Sequence, residues 1–286
     1  MTAGDHHQQQ SLNFGGQWTL EKLDVLETYL DAYTTALKNQ QFRLMYIDAF
    51  AGTGRFSLSK PSADDASTFV SGSAERALRI GDKPFDRLVF IESSPRQCEE
   101  LRNLKEYAPG RDIQIEQSDA NQFLSQLQEN WRRWRGVLFL DPFATEVEWS
   151  TIETIASFEA LDTWILFPTS AIARMLPKSK QPDDISAAWS DRLTRVYGNE
   201  NWRELYRQKL QMNLFGVPGV ERDHGVEGLI KIYKGNLKRL LGNRFLERSR
   251  TLKRNNSPLF EFMFFVGHPN GIGPATRIAE HILKDL

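Results

Sequence analysis

Two short stretches of this 286-residue chain carry residue types that could do chemistry. In the first, Leu44-Met45-Tyr46-Ile47-Asp48-Ala49-Phe50-Ala51-Gly52-Thr53-Gly54-Arg55, an apolar run ends on an acid and enters a small-residue loop. Gly52 and Gly54 have no Cβ, so the backbone there can take positive φ and come close to another molecule. In the second, Gly136-Val137-Leu138-Phe139-Leu140 runs into Asp141-Pro142-Phe143. A carboxylate and a neighbouring backbone carbonyl can accept the hydrogens of an amine, and an aromatic ring can stack on the planar group that bears it.

Both apolar runs lack alternation, as buried strands of a parallel sheet do, and ligands of open α/β sheets bind outside the carboxyl ends of such strands. A phosphate loop would need Gly-Lys-Ser/Thr, and Gly54 is followed by Arg55-Phe56. The dinucleotide fingerprint would need a third glycine where Ser57 stands. The order Asp48-x-Phe50-x-Gly52-x-Gly54 resembles the first motif of class I S-adenosylmethionine (SAM)-dependent methyltransferases. The resemblance implies that the acid and the glycine loop hold the methionine end and ribose of SAM; a tight turn with no ligand is the alternative.

Glu92 closes the next apolar run, Arg87-Leu88-Val89-Phe90-Ile91-Glu92, where an acid bonds ribose hydroxyls in nucleotide-type sheets. Residues 57–71, rich in Ser, Asp, Ala and Pro, account for the long spacing between Asp48 and Glu92, and read as a loop that is either a lid or a plain insertion. Asp119 follows the short alternating run Ile113-Gln114-Ile115-Glu116-Gln117. An acid there commonly bonds the adenine amino group in methyltransferases, and Asp119 is equally placed to cap a helix. Phe50 and Ala120 adjoin these residues and complete the implied cofactor set.

Asp141-Pro142-Phe143 is similar to the Asp/Asn-Pro-Pro-aromatic motif of amino-directed nucleic-acid methyltransferases, whose acceptor amine is a poor nucleophile because its lone pair is delocalised. Accepting its hydrogens pulls nitrogen toward tetrahedral geometry, and placing the sulfonium in line supplies much of the rate. Here a single proline separates acid and aromatic, and this shortened form also resembles the motif of guanine N2-directed transfer-RNA methyltransferases. The plainer reading has Asp-Pro ending the strand and Phe143 filling the core.

The elements that must position these residues read as follows. Leu20, Leu23, Leu26, Leu30, Tyr33 and Leu37 are spaced as one face of a helix over 19–40, which should pack ahead of the first strand. Helices are predicted over 72–80 and 95–107, and a strand over 161–168. Trp131-Arg132-Arg133-Trp134-Arg135 reads as a helix end rather than a phosphate patch. Residues 171–245 read as a helical insertion for substrate or partner recognition, with helical pieces over 187–197 and 202–210. Two β-rich runs joined by Asn255-Asn256-Ser257-Pro258 signal a hairpin, and a helix follows from 273. The predicted organisation is a lead-in over 1–18 without structure, an α/β core over 19–170, the insertion, and a hairpin and helix over 246–286 completing the core. The fold class is α/β, Rossmann-like, with a mostly parallel sheet and a terminal antiparallel hairpin.

Formal net charge is −1 and hydrophobic residues make up 40%, so any nucleic-acid surface must be local. Arg244, Arg248, Arg250, Lys253 and Arg254 are candidates for phosphate contacts, or a solvated strand face. The single cysteine, Cys98, excludes an internal disulfide framework and fits a reducing cytoplasm. No run reaches membrane-spanning length, and no metal site is expected. A nuclease would need acids clustered on adjoining strands, and Glu261 stands without such partners in the sequence.

In series, the glycine loop, Val137 through Phe143, Val147-Glu148-Trp149-Ser150-Thr151-Ile152-Glu153, Trp164-Ile165-Leu166-Phe167-Pro168 and Asn255 through Leu259 resemble the three-Cys-motif partner protein family (TcmP). This resemblance implies a class I methyltransferase-like fold, a bacterial and often mobile-element or defence setting, and a three-cysteine radical-SAM-like protein as partner. Two functions stay open: SAM-dependent methyl transfer to an amino group on nucleic acid, and a non-catalytic scaffold that binds SAM or nothing and docks that partner.

Overall fold

A computed structural model describes residues 17–57, 69–81, 83–106, 108–176, 182–212, 218–222 and 225–284. The sheet is built from β1 (Arg43–Asp48), β4 (Arg87–Glu92), β5 (Asp112–Gln117), β6 (Trp134–Leu140), β7 (Leu161–Phe167), β10 (Phe245–Arg254) and β11 (Ser257–Phe265). Their order is β10-β11-β7-β6-β1-β4-β5, with β11 antiparallel to both neighbours and the remaining pairs parallel. This is the mostly parallel sheet with a terminal antiparallel hairpin that the sequence predicts. The two-residue turn Asn255-Asn256 takes positive φ at both positions (48° and 63°), as a hairpin turn matched to strand twist requires.

Alternate residues of each strand feed separate cores, because successive side chains point to opposite faces. Leu44, Tyr46, Leu88, Phe90, Val137 and Phe139 pack beneath α1 (Gln17–Leu37), α2 (Ser73–Arg79), α3 (Pro95–Glu106) and α9 (Ile272–Lys284). Met45, Ile47, Val89, Ile91, Leu138 and Leu140 pack beneath α4 (Ala120–Gln126), α5 (Trp149–Phe158) and α8 (Gly225–Leu241). Such two-sided burial explains why the parallel strands read as unbroken apolar runs.

Helix α1 fastens the sheet from one edge to its middle. Its Tyr29 hydroxyl donates to the Asp162 carboxylate on β7 (2.7 Å), and Asp162 also accepts from the Gly267 amide (2.7 Å). Burial raises the Asp162 carboxyl to about 6 despite these bonds. Trp18 stacks on Phe260 of β11 (5.3 Å), and Glu21 pairs with Arg250 of β10 (2.7 Å). The helix thus begins earlier than position 19, and residues 17 and 18 of the expected lead-in belong to it; residues 1–16 lie outside the described residues.

The segment over 171–245 is not all helical. Helices α6 (Thr169–Met175), α7 (Ala187–Tyr197) and α8 frame a separate antiparallel pair, β8 (Tyr206–Met212) and β9 (Pro218–Arg222). A short 3-10 turn over Asn201–Leu205 and then β8 occupy the place of the helix expected over 202–210. Phe167 stacks on Tyr233 (4.2 Å), with Tyr197 and Trp149 edge-on to the same ring (5.9 and 5.8 Å), and this cluster fastens the insertion to the end of β7. Trp134 and Arg135 open β6 instead of ending a helix; Trp134 is buried, with Arg43 and Arg87 over its ring (4.3 and 4.8 Å). The ends of the loop expected over 57–71 pair as β2 (Arg55–Ser57) and β3 (Phe69–Ser71), while 58–68 lie outside the described residues.

Asp162 makes one fold-level prediction. A buried acid whose pKa is raised on folding binds its proton more tightly in the native state, so its contribution is full below about pH 4 and is lost as pH rises through about 6. Asp162→Asn keeps an acceptor for Gly267 and offers Tyr29 an amide donor, without the ionisation. Urea unfolding should show wild type gaining on this variant by up to about 3 kcal/mol between about pH 7.5 and about pH 4.

Candidate active site

Strand order reverses at β1, which lies between β4 and β6, and the glycine loop and Asp141-Pro142-Phe143 leave the carboxyl ends of β1 and β6 side by side. Asp48, the last residue of β1, is fully buried. One oxygen accepts from the Phe50 amide (3.3 Å), the other from the Tyr46 hydroxyl (3.3 Å), and Ser73 adds a side-chain bond. Burial lifts this carboxyl to about 6; Ser73, Phe50 and Tyr46 pull it down and the nearby Asp141 charge pushes it up. Asp48 therefore shapes the loop from beneath. Phe50, half-buried, leans on the α4–α5 core.

The two glycines have different work. Gly52 takes φ of +59° and a Cβ built there would meet nothing within 4 Å, so it faces open space at the crevice. Its amide donates to Glu92 Oε2 (3.0 Å), which ties the loop to the end of β4. The other Glu92 oxygen accepts from the Ser94 amide (2.8 Å). Gly54 takes φ of +72°, but a Cβ there would lie 2.4 Å from Leu104 Cδ1 and 3.2 Å from Leu101 Cδ2. Gly54 thus sits against α3, where the Leu104 side chain would have to shift to admit a Cβ.

Asp119 is exposed and caps α4, accepting from the Gln122 amide (3.0 Å). The Ala120 methyl is buried in the core, so only its backbone is left for a ligand. Asp119 also lines an open polar cavity of about 420 Å³ with Asn121, Gln122, Glu146, Glu148 and Arg192.

Asp141 is partly buried, with 19% of its side chain exposed, and its Oδ2 accepts from Lys22 Nζ of α1. Lys22 is itself buried, and its ammonium lies 5.2 Å from the centre of the Trp18 ring. Pro142 is buried and Phe143 stands 74% exposed, which overturns the reading of Phe143 as a core residue. Glu146 Oε2 accepts from the Phe143 amide (2.7 Å), fixing the loop that presents the ring. Lys22, Ser73 and Glu146 are site residues that motif reading missed. Lys22 had a legible signal: it falls on the stripe Thr19, Lys22, Leu26, Tyr29 and Tyr33, the buried face of α1.

The candidate basic surface divides. Arg244 donates to the carbonyls of Ala156 (3.0 Å) and Gly267 (2.8 Å) at the edge opposite the crevice, and so is structural. Since β10 runs parallel to β1, its exposed Lys253 and Arg254 lie at the same end of the sheet as the crevice, on the outermost strand. Glu261, buried on β11, accepts from Thr251 (2.7 Å) and Ser249 and pairs with Lys234 (3.3 Å), a closed structural network. Among the described residues no cluster of His, Cys, Asp and Glu would hold a metal ion, and no helix is long and apolar enough to cross a membrane.

Solved structures similar to this chain include a protein of the DUF519 family from Legionella pneumophila (13% identity, TM-score 0.39, covering 86% of this chain and 97% of that one). Another is Trm1 from Pyrococcus horikoshii in complex with S-adenosyl-L-methionine (13%, 0.39, covering 92% and 58%). A third is a protein from Thermobifida fusca named as a putative methyltransferase (11%, 0.40, covering 87% and 81%). No family model and no curated sequence matches the chain. The fold assignment accordingly rests on the strand order and hairpin, and the TcmP resemblance on its motifs.

The glycines give a paired prediction. Gly54→Ala adds a steric clash to left-handed strain and should lower stability by more than about 2 kcal/mol, whereas Gly52→Ala should cost only about 1 kcal/mol. Equal losses in denaturant melts would contradict the division of roles.

Proposed function

We propose that this chain is a SAM-dependent methyltransferase acting on an exocyclic amino group of a nucleic-acid base. The observation that carries the reading is the juxtaposition at the switch point: an open, Glu92-tied glycine loop beside a partly buried Asp141 and an exposed Phe143 ring. Gly52 supplies room that a side chain would fill, and Glu92 stands where an acid meets ribose hydroxyls. These residues fit the adenosine and methionine parts of SAM, with Asp119 at the adenine end and Phe50 along the loop. When bound, SAM supplies an electrophilic methyl group on a sulfonium.

The chain's own residues would do the rest. Asp141 and the Pro142 carbonyl accept hydrogens from the acceptor amine, and Phe143 stacks on the base once it has left its helix. Lys253 and Arg254, exposed at the same end of the sheet, are candidates to hold phosphates flanking the base. In the same reading the chain works beside the three-cysteine radical-SAM-like protein that the TcmP resemblance implies.

Calorimetric titration with SAM and with its demethylated product tests the cofactor. Micromolar binding, lost in Gly52→Val and Glu92→Ala, is the expected outcome; a folded protein that binds neither would refute it. The cofactor's positive charge should also favour ionised Asp48, whose carboxyl sits at about 6 without it. Tyr46, Ser73 and the Phe50 amide bond Asp48 directly and Asp141 faces it. SAM affinity should therefore rise as pH increases through about 6 and level off above it, while Asp48→Asn flattens the profile.

A further inference from the structure

Lys22 is the feature of this site that the proposed reaction does not use. Its ammonium bonds one oxygen of Asp141, the carboxylate offered to the acceptor. Only 9% of its side chain is exposed, and the Trp18 ring lies over the cation at 5.2 Å. Cation–π attraction and burial both favour keeping that charge beside its counter-charge. The pair is close to neutral, and Oδ1 of Asp141 is the oxygen that Lys22 leaves. Of the other acids nearby, Asp48 is buried behind the loop and engaged by Tyr46, Ser73 and the Phe50 amide, and Glu146 accepts from the Phe143 amide.

We propose that Lys22 is the specificity-determining residue of the acceptor subsite: it neutralises Asp141, so that the site takes an uncharged planar amine and rejects an alkylammonium. The inference rests on the methyl-transfer reading and adds the acceptor's charge state to it. An aromatic amino group is neutral and needs only a hydrogen-bond acceptor, which Oδ1 provides. A lysine side chain or polyamine would bring a second cation against the Lys22 ammonium, where Asp141 is already paired and Asp48 is walled off behind the loop, and would bear full desolvation. An unpaired Asp141 would welcome either, so the Asp-Pro-Phe motif does not make this distinction. The exposed Phe143 ring agrees, since it offers stacking that a planar acceptor uses and an aliphatic one does not.

Two cofactor analogues test the inference without an identified acceptor. S-adenosylhomocysteine has no group at the position of the transferred methyl, whereas in sinefungin a carbon replaces the sulfur and its amino group takes the methyl's place, so the ammonium projects toward Asp141. In wild type, calorimetry should give the two ligands affinities within about threefold of each other. In Lys22→Met and in Lys22→Gln, sinefungin should gain at least about tenfold relative to S-adenosylhomocysteine, since Asp141 is then an unpaired carboxylate. Adding Asp141→Asn to Lys22→Met should remove the gain, and Lys22→Arg should retain the wild-type ratio. An unchanged ratio in both charge-removing variants, with both ligands bound, overturns the inference and leaves the cofactor reading standing. A wild-type preference for sinefungin of more than about tenfold overturns it as well, whether or not the variants fold. Binding of neither ligand by folded wild type refutes the cofactor reading, and this inference falls with it.

Discussion

A carboxylate is not taken out of water without a partner, and at the carboxyl edge of this sheet Asp48 and Asp141 stand at the ends of adjoining strands β1 and β6. Their electrostatic coupling is what the surrounding elements must resolve. For Asp48 the answer is a ring of hydroxyl and amide donors, which turns the loop above it. For Asp141 it is a whole cation delivered by α1 from the far end of the sequence. That delivery requires α1 to be anchored at several points, and the Trp18, Glu21 and Tyr29 contacts provide them. The geometry of the crevice is in this sense a by-product of keeping two charges satisfied.

Much of this was legible in the sequence, for a definite reason. Strands β1, β4, β6 and β7 are buried on both faces, so each is an apolar run closed by an acid or proline, and the closing residues mark the crevice edge. The hairpin was legible because Asn-Asn suits left-handed turn positions. Where tertiary pairing decides, local pattern failed. Tyr206 to Met212 is a strand because Pro218 to Arg222 pairs with it, and nothing within the segment itself says so. Trp134 and Arg135 sit in a basic run that suggests a helix end, yet β1 claims them as a neighbouring strand.

The site divides along the same line. Residues that act through backbone shape or strand position, Gly52, Glu92 and Asp141, follow from motif and spacing. Residues that act by reaching across the fold do not: Lys22 lies 119 positions from its partner, and only its place on the buried stripe of α1 marks it. Gly54 adds that a motif glycine can also be hemmed in by a neighbouring helix, which the motif itself does not announce.

The span of the α1 contacts has a consequence for how the molecule is made. Glu21 and Arg250 are 229 positions apart, and Tyr29 and Asp162 are 133 apart. As the chain leaves the ribosome, α1 can pack early against β1 and α2, but its Tyr29, Trp18 and Glu21 anchors have no partners until β7 and then the hairpin arrive. The crevice is therefore among the last parts of the molecule to be completed during synthesis. A nascent chain halted before the hairpin would carry the glycine loop and Asp141 without a fully docked α1, and its exposed helix face would be a target for chaperones.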